Sequence, residues 1–305
     1  MPHTLLCLGK FVFDLTNEVE HIPVPGEKRT VKSQIVVPGG GVVNAAICIA
    51  NCGMHAHAHV EIGSDYFLGG AEQMLIDHKV RLIPRYTEAS SFNTVFTGVG
   101  DRAIARAPKR AQLAEDFTEV DPDGYDALVL DGYQNDAALH HAKTFSVADK
   151  FVLLDCNPRP NTDELLPHAG AAVAGASYME DNPAFRQPAD VLDYFRTMGC
   201  RVRAITIGER GLWFCEGDSP PKHMEAIHVD GWEKKNSNGI GDGFHGALAV
   251  SHTLWPGNRW AYHFWFATCY AALMLEKSDH QRFYPSIENV LLLMNSRPQL
   301  VRAAG

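Results

Sequence analysis

The sequence predicts an α/β fold: a doubly wound, mostly parallel sheet with helices on both faces, carrying a small β-sheet lid. Three observations predict it. Short apolar runs, among them 126–131 (DALVLD), 151–155 (FVLLD), 171–174 and 202–207 (VRAITI), recur with helical stretches between most of them, which is the alternation of a parallel sheet. Two glycine-rich stretches, 38–41 and 239–241, each run straight into an apolar helical pattern, as a turn does where backbone approaches a ligand. The length of 305 residues, 46% hydrophobic and 21% charged, is ample for a sizeable core and suits one large α/β domain or two smaller ones.

Taken in order, Leu5–Leu8 is a short apolar run closing at Gly9, a buried first strand. Asp14 lies a little beyond it, where loops at the C-terminal ends of parallel strands carry ligand contacts. Pro23, Pro25 and Gly26 break the pattern, and Thr30–Val37 then alternates like an exposed strand. Pro38 to Ala46 leads through three glycines into a helix that ends at Asn51-Cys52-Gly53. Val60–Ile62 is a strand, Phe67–His78 a helix, and Val80–Ile83 a strand. Ser91–Gly98 and Ala103–Ala107, joined at Gly100-Asp101-Arg102, read as a hairpin. The lid is placed at about 14–38 and 91–108. After the central runs, Gly208-Glu209-Arg210-Gly211 turns into Leu212–Cys215, and Ala226–Val229 is expected to be a strand. A long buried helix is expected from Trp255 through Leu275, and a last one at Pro285–Asn295.

Composition narrows the partners. A net charge of −9 argues against nucleic acid and anionic membranes, and no apolar run approaches the roughly 20 residues of a membrane span. The N-terminal residues read as a strand rather than a signal peptide. Seven scattered cysteines, an odd number in mostly apolar surroundings, suit reduced thiols and a cytoplasmic protein. His55, His57 and His59 would share one strand face, but no acidic or cysteine ligands stand at supporting spacings; they and His140-His141 read as structural rather than metal-binding.

The chemistry concentrates at Asn236–Val250 (NSNGIGDGFHGALAV). Gly239, Ile240 and Gly241 form a tight loop, and the following helix adds its unpaired N–H groups and positive dipole end, which suits a phosphate. Asp242 beside a phosphate would repel it unless its carboxylate points past it, at a hydroxyl that must lose a proton. A base, an oxyanion cradle and a phosphoryl donor make a kinase-type site. The alternative is an ordinary glycine loop with Asp242 as helix cap. Gly39, Gly40 and Gly41 again bring backbone close to a ligand, and Asn44 offers a donor and an acceptor to a sugar hydroxyl.

With both motifs in view, the chain resembles the ribokinase-like, or PfkB-type, carbohydrate kinases over nearly its whole length, which implies a single domain over 1–305. The resemblance rests on Gly39-Gly40 with Asn44, on Gly63, Asp65 and Gly69, on Asp155-x-Asn157-Pro158, on Gly208–Gly211, and on Gly239-x-Gly241-Asp242 with Phe244, Gly246 and Ala247. The phrase around Phe244–Leu248 is most similar to the ketohexokinase and sulfofructose-kinase branches. The resemblance implies ATP as donor, Mg2+ as helper and a primary sugar hydroxyl as acceptor. It makes Asp242 the base, Gly239–Gly241 the anion hole, and Asp14, Gly39, Gly40, Gly41 and Asn44 the substrate contacts. Gly208, Glu209, Gly211 and Asn238 would lie by the nucleotide, and Glu180 would organise Mg2+ through water. A homodimer meeting through the lid is a further implication.

The sequence departs from the family in four places. Asn236 replaces a carboxylate, which leaves a monovalent-cation site unsupported. Ile240 stands for alanine, Ser177 replaces the asparagine that usually precedes the retained Glu180, and Glu276–His280 replaces a Gly-Ala-rich turn near adenine. A nucleoside kinase of the same fold and a non-catalytic sugar- or nucleotide-binding relative are the alternatives.

Overall fold

The computed structural model describes residues 2–98, 101–113, 116–232, 235, 237–277, 282–297 and 301–303, with the backbone alone at 98, 101–102 and 301–303. The chain begins with β1 (Thr4–Lys10), β2 (Val12–Glu18), β3 (Ser33–Gly39), α1 (Gly41–Asn51), β4 (His55–Gly63), α2 (Leu68–Asp77), β5 (Val80–Thr87), β6 (Phe92–Gly98) and β7 (Asp101–Ala105). It continues with β8 (Ala127–Leu130), α3 (Asn135–Val147), β9 (Phe151–Cys156), α4 (Thr162–Leu165), β10 (Ala171–Gly175), α5 (Ala176–Glu180), α6 (Pro188–Thr197) and β11 (Val202–Thr206). It closes with β12 (Leu212–Glu216), β13 (Lys222–Met224), α7 (Ile240–Leu254), α8 (Trp260–Lys277), α9 (Ile287–Ser296) and β14 (Val301–Ala303).

The main sheet has ten strands in the order β14-β13-β12-β11-β10-β9-β8-β1-β4-β5, parallel from β11 to β5 and antiparallel beyond. Alternation along β1 explains the two cores. Leu5 and Cys7 join one apolar cluster with α1, α7 and α8, while Leu6 and Leu8 join the other with α3 and α6. Both faces are covered, so the strands read as near-continuous apolar runs. The chain leaves β1 toward β4 and β5, then returns to β8 on its other side. The C-terminal ends of β1 and β8 therefore form the topological switch point, where such sheets bind ligands.

The lid is a separate four-stranded sheet, β3-β2-β6-β7. Here the structure corrects the sequence reading. Asp14 lies within β2, paired with Val37 and Asn93, rather than in a loop. The strand expected at Thr30–Val37 runs from Ser33 to Gly39; it is an edge strand, so Pro38 costs no ladder bond. The turn residue Gly100 lies outside the described residues. Ala226–Val229 is not a strand: the turn at 217–221 sets Lys222–Met224 opposite Leu212–Phe214, and residues beyond run past the end of β12. The long helix begins at Trp260, since Trp255 caps α7 and Pro256-Gly257 break the path between them.

Candidate active site

Two helix N-termini bring the site together. α1 starts at Gly40, whose φ of 104° and position against the Lys10 carbonyl, 2.1 Å from where a Cβ would stand, exclude any side chain. α7 starts at Gly239, with φ of 83° and the Arg282 guanidinium 2.9 Å from its Cβ position. Gly41 then opens a small space bordered by three carboxylates. A Cβ there would stand 3.2 Å from Asp155 Oδ2 and 3.5 Å from both Asp131 Oδ2 and Asp242 Oδ1.

Asp242 occupies the first turn of α7, half-buried. Its Oδ2 accepts from Asn44 Nδ2 at 2.6 Å, and no hydrogen bond to Oδ1 is seen among the described residues. Burial raises its pKa above the ordinary carboxylate value and the charge of Asp155 adds to this, while the Asn44 hydrogen bond, Arg282 and His245 oppose it. The N–H of Ile240 reaches the Ser237 carbonyl at 3.4 Å, whereas those of Gly241 and Asp242 meet no acceptor among the described residues. These open donors at the positive end of a 15-residue helix can receive an anion. His245, one turn on, holds Nδ1 2.7 Å from the Gly241 carbonyl and Nε2 3.2 Å from that of Val173, with Asp155 Oδ1 at 3.6 Å.

Arg282 ties the lid to this centre. Its guanidinium donates to Asp14 Oδ2, to the Pro38 carbonyl and to Asn44 Oδ1, each at 2.7 Å, and to the Asn238 carbonyl at 3.2 Å. Burial disfavours its charge, but Tyr284, Asp14 and Asp242 outweigh that and raise its pKa further. Asp14 also accepts from Asn93 Nδ2 at 2.9 Å and Asn238 Nδ2 at 3.3 Å, and Tyr284 donates to Asn44 Oδ1 at 3.3 Å. Asp14, Gly39–Gly41, Asn44 and the Asn238–Asp242 loop thus converge. Asn44 spends its amide on Asp242 and Arg282, and Asn238, expected by the nucleotide, reaches Asp14.

Gly208–Arg210 is a single 3-10 turn after β11, closed by Gly211 at φ 83°, with Glu209 exposed; Glu180 is exposed at the end of α5, after β10. They stand on the same sheet edge as Asp131 and Asp155, with no bond to the Asp242 cluster among the described residues. Asn236 and residues 278–280 lie outside the described residues.

Sequence reasoning missed Arg282, Tyr284, Asn93, His245 and Asp131. Only Asp131 left a signal, as a carboxylate closing an apolar strand run. Asp131 is 2% exposed, with Oδ1 accepting from the Tyr133 N–H at 3.1 Å. Burial pushes its pKa up to about 7, helped by Asp155 and opposed by Arg159, that N–H and Lys10. The unfolded value is an ordinary one near 4, so the folded state holds this proton more tightly. Between about pH 4 and 7 this group's contribution to stability falls as pH rises, and above about 7 the loss is complete. Asp131→Asn should remove that slope, raising the unfolding temperature relative to wild type by ~2 °C or more at pH 8 and by less at pH 5. Calorimetric melts giving the same offset at both pH values would contradict this.

Residues 2–287 match the family model of the pfkB family carbohydrate kinases. Among solved structures, the chain is similar to a candidate ribokinase from Agrobacterium tumefaciens, with TM-score 0.88, 20% identity, and 97% and 98% of the two chains covered. It is similar also to the ribokinase of Thermotoga maritima (TM-score 0.80, 20% identity, 97% and 100% covered). The Arabidopsis thaliana ribokinase complexed with ribose and ATP gives a TM-score of 0.76 at 20% identity, with 96% and 98% covered. At such identities the structural likeness speaks for the fold alone.

Proposed function

The chain belongs to the pfkB family of carbohydrate kinases and is therefore a phosphotransferase; on that premise we propose that it phosphorylates a primary hydroxyl of a small sugar or sugar derivative with ATP, using Asp242 as general base. One observation carries this reading: among the described residues, a carboxylate whose Oδ1 accepts no hydrogen bond stands in the same helical turn as the N–H groups of Gly241 and Asp242, which meet no acceptor. Asn44 fixes Oδ2, which leaves Oδ1 to take the proton of the acceptor hydroxyl as its oxygen attacks the γ-phosphorus. Charge gathering on the transferring group meets the Gly239–Gly241 loop and the α7 dipole, and ADP leaves on the opposite side. That ribokinase of A. thaliana was seen with ribose and ATP supports the same pairing of substrates here.

The nucleotide is assigned to the side of Gly208, Glu209 and Gly211. Mg2+ binds oxygen and keeps several waters, so the exposed Glu180 carboxylate at the sheet edge, without a cation partner among the described residues, fits a water-mediated role. The ion would neutralise charge on the triphosphate. A homodimer through the lid is motivated by Val36, 44% exposed on β3; a light-scattering mass of 33.6 kDa would remove it. The primary test is ADP release with Mg-ATP across pentoses, hexoses, their acid, sulfonate and phosphate relatives, and nucleosides. An Asp242-dependent hit among the sugars sustains the reading. A hit confined to nucleosides reassigns the acceptor, and silence throughout refutes the activity.

A further inference from the structure

A cavity of about 620 Å3 opens at the switch point, against the ends of β1, β4 and β5 and the residues after β8 and β9. Its size suits a small metabolite. Lys10, Lys109, Arg110 and Arg159 line it, an unusual concentration of cations on a chain of net charge −9. None of the four forms an ion pair among the described residues. Lys10 Nζ and the Arg159 guanidinium lie 4.2 and 3.5 Å from the centre of the Tyr133 ring, and Arg159 donates Nε to the Asp131 carbonyl at 2.7 Å. Arg110 carries a buried Nε with no hydrogen-bond partner among the described residues.

Two acidic residues among the described residues stand in the same wall. Asp136 is spent on Arg85 in a two-pronged pair at 2.7 and 2.8 Å, whereas Glu61, which accepts from the neutral Gln112 amide at 2.7 Å, keeps its charge and leaves the four cations in excess. Asp131, behind Gly132 and Tyr133, is a weak counter-charge because burial raises its pKa to about 7. Lys109 is exposed and Lys10, Arg110 and Arg159 are half-buried, so their charges are open to a ligand in the cavity, and the buried Arg110 Nε is a donor that an anion there can satisfy.

The cavity adjoins the reacting centre. Asp131 borders it through Tyr133, and Asp131 and Asp242 both face Gly41, each 3.5 Å from its Cβ position. The Gly208–Gly211 turn follows β11, three strands away from β8, so the cations stand on the acceptor side rather than the nucleotide side. Lys109 and Arg110 come from the segment that returns from the lid. It is fastened by the Glu88 N–H to the Ala111 carbonyl at 2.9 Å and by the Ala107 N–H to Asn93 Oδ1 at 2.9 Å. Asn93 also holds Asp14, so the basic segment and the lid carboxylate are set by one side chain.

We propose that the acceptor sugar carries an anionic group, a carboxylate, sulfonate or phosphate ester, at the end remote from the hydroxyl facing Asp242, and that Arg110 and Lys109, with Arg159 and Lys10, bind that group. This assigns the substrate class and rests on the kinase reading above. Charge-assisted hydrogen bonds of this kind discriminate by roughly 10–100-fold each.

The test compares matched acceptors: D-glucose with D-gluconate, and D-fructose with D-fructose 6-phosphate and 6-deoxy-6-sulfofructose. The charged member of at least one pair should show the higher kcat/KM, and which one succeeds names the anion. Arg110→Gln should lower that charged-to-neutral ratio by roughly 10–100-fold, mainly through KM for the sugar rather than for ATP, and added salt should narrow the wild-type preference. Equal use of charged and neutral members, an equal loss for both in Arg110→Gln, or a loss that falls on ATP overturns the proposal. Any of these would leave an Asp242-dependent kinase standing. If no acceptor is phosphorylated the kinase reading falls, and calorimetry of the same sugars with nucleotide-free protein decides. A charged-over-neutral preference lost in Arg110→Gln supports the anion site, and no preference overturns it.

Discussion

Asp242→Asn should lower kcat by about 10²–10⁴-fold while leaving KM for both substrates within a few-fold of wild type. Asparagine is nearly isosteric and can still meet the Asn44 amide through its own oxygen, now at the Oδ2 position, so the α7 turn should keep its shape. What is lost is the lone pair that accepts the hydroxyl proton. The sign of the pH dependence follows. Asp242 must be deprotonated to act, and burial with Asp155 raises its pKa, so activity rises with pH along an acid limb above the ordinary carboxylate range. Asp155→Asn removes the charge that helps raise it, so the limb should move to lower pH if enough activity survives. Steady-state kinetics from pH 4 to 9, beside a far-UV spectrum of each variant, checks both expectations. Wild-type turnover from a folded Asp242→Asn protein would show that proton removal is not its task.

The fold was legible because its signals are local. Apolar runs such as Phe151–Asp155 need only a period and a length to announce a buried strand, and Gly40 and Gly239 mark conformations that other residues avoid. Asp242 was legible for the same reason, since a carboxylate inside a phosphate-shaped motif demands an explanation. The strand misplaced at Ala226–Val229 was decided by hairpin register, which a short apolar run does not carry. Arg282 was beyond reach in principle. It sits between α8 and α9 in a polar stretch without periodicity, and nothing there predicts that a guanidinium will be buried against residues more than 200 positions earlier in the chain. Lys109 and Arg110 were illegible likewise: their meaning lies in the cavity that the lid segment joins, with Lys10 and Arg159 on other walls.

Arg282→Met should cost the protein roughly 3–5 kcal/mol, because it strips the charged partner from Asp14 inside the structure. Both side chains of this pair are only 6% exposed, so solvent screens little of the loss. Asp14 would keep Asn93 and Asn238, neutral donors that do not balance a carboxylate, and the Pro38 and Asn238 carbonyls would lose their guanidinium donor. In a domain of this size the unfolding temperature should fall on the order of 10 °C. The double variant Arg282→Met, Asp14→Asn removes the stranded charge and should recover much of that stability, a non-additivity expected of direct partners. Turnover should not recover with it. Asn44 Oδ1 would keep only the longer Tyr284 bond at 3.3 Å in place of the Arg282 donor at 2.7 Å and so would hold Nδ2 less firmly toward Asp242, and Asp14→Asn itself alters an expected substrate contact. A loss below about 1 kcal/mol would place this pair with solvent-exposed ion pairs. Recovery of turnover together with stability would show that Arg282 acts only on the fold and not through Asn44 on the base.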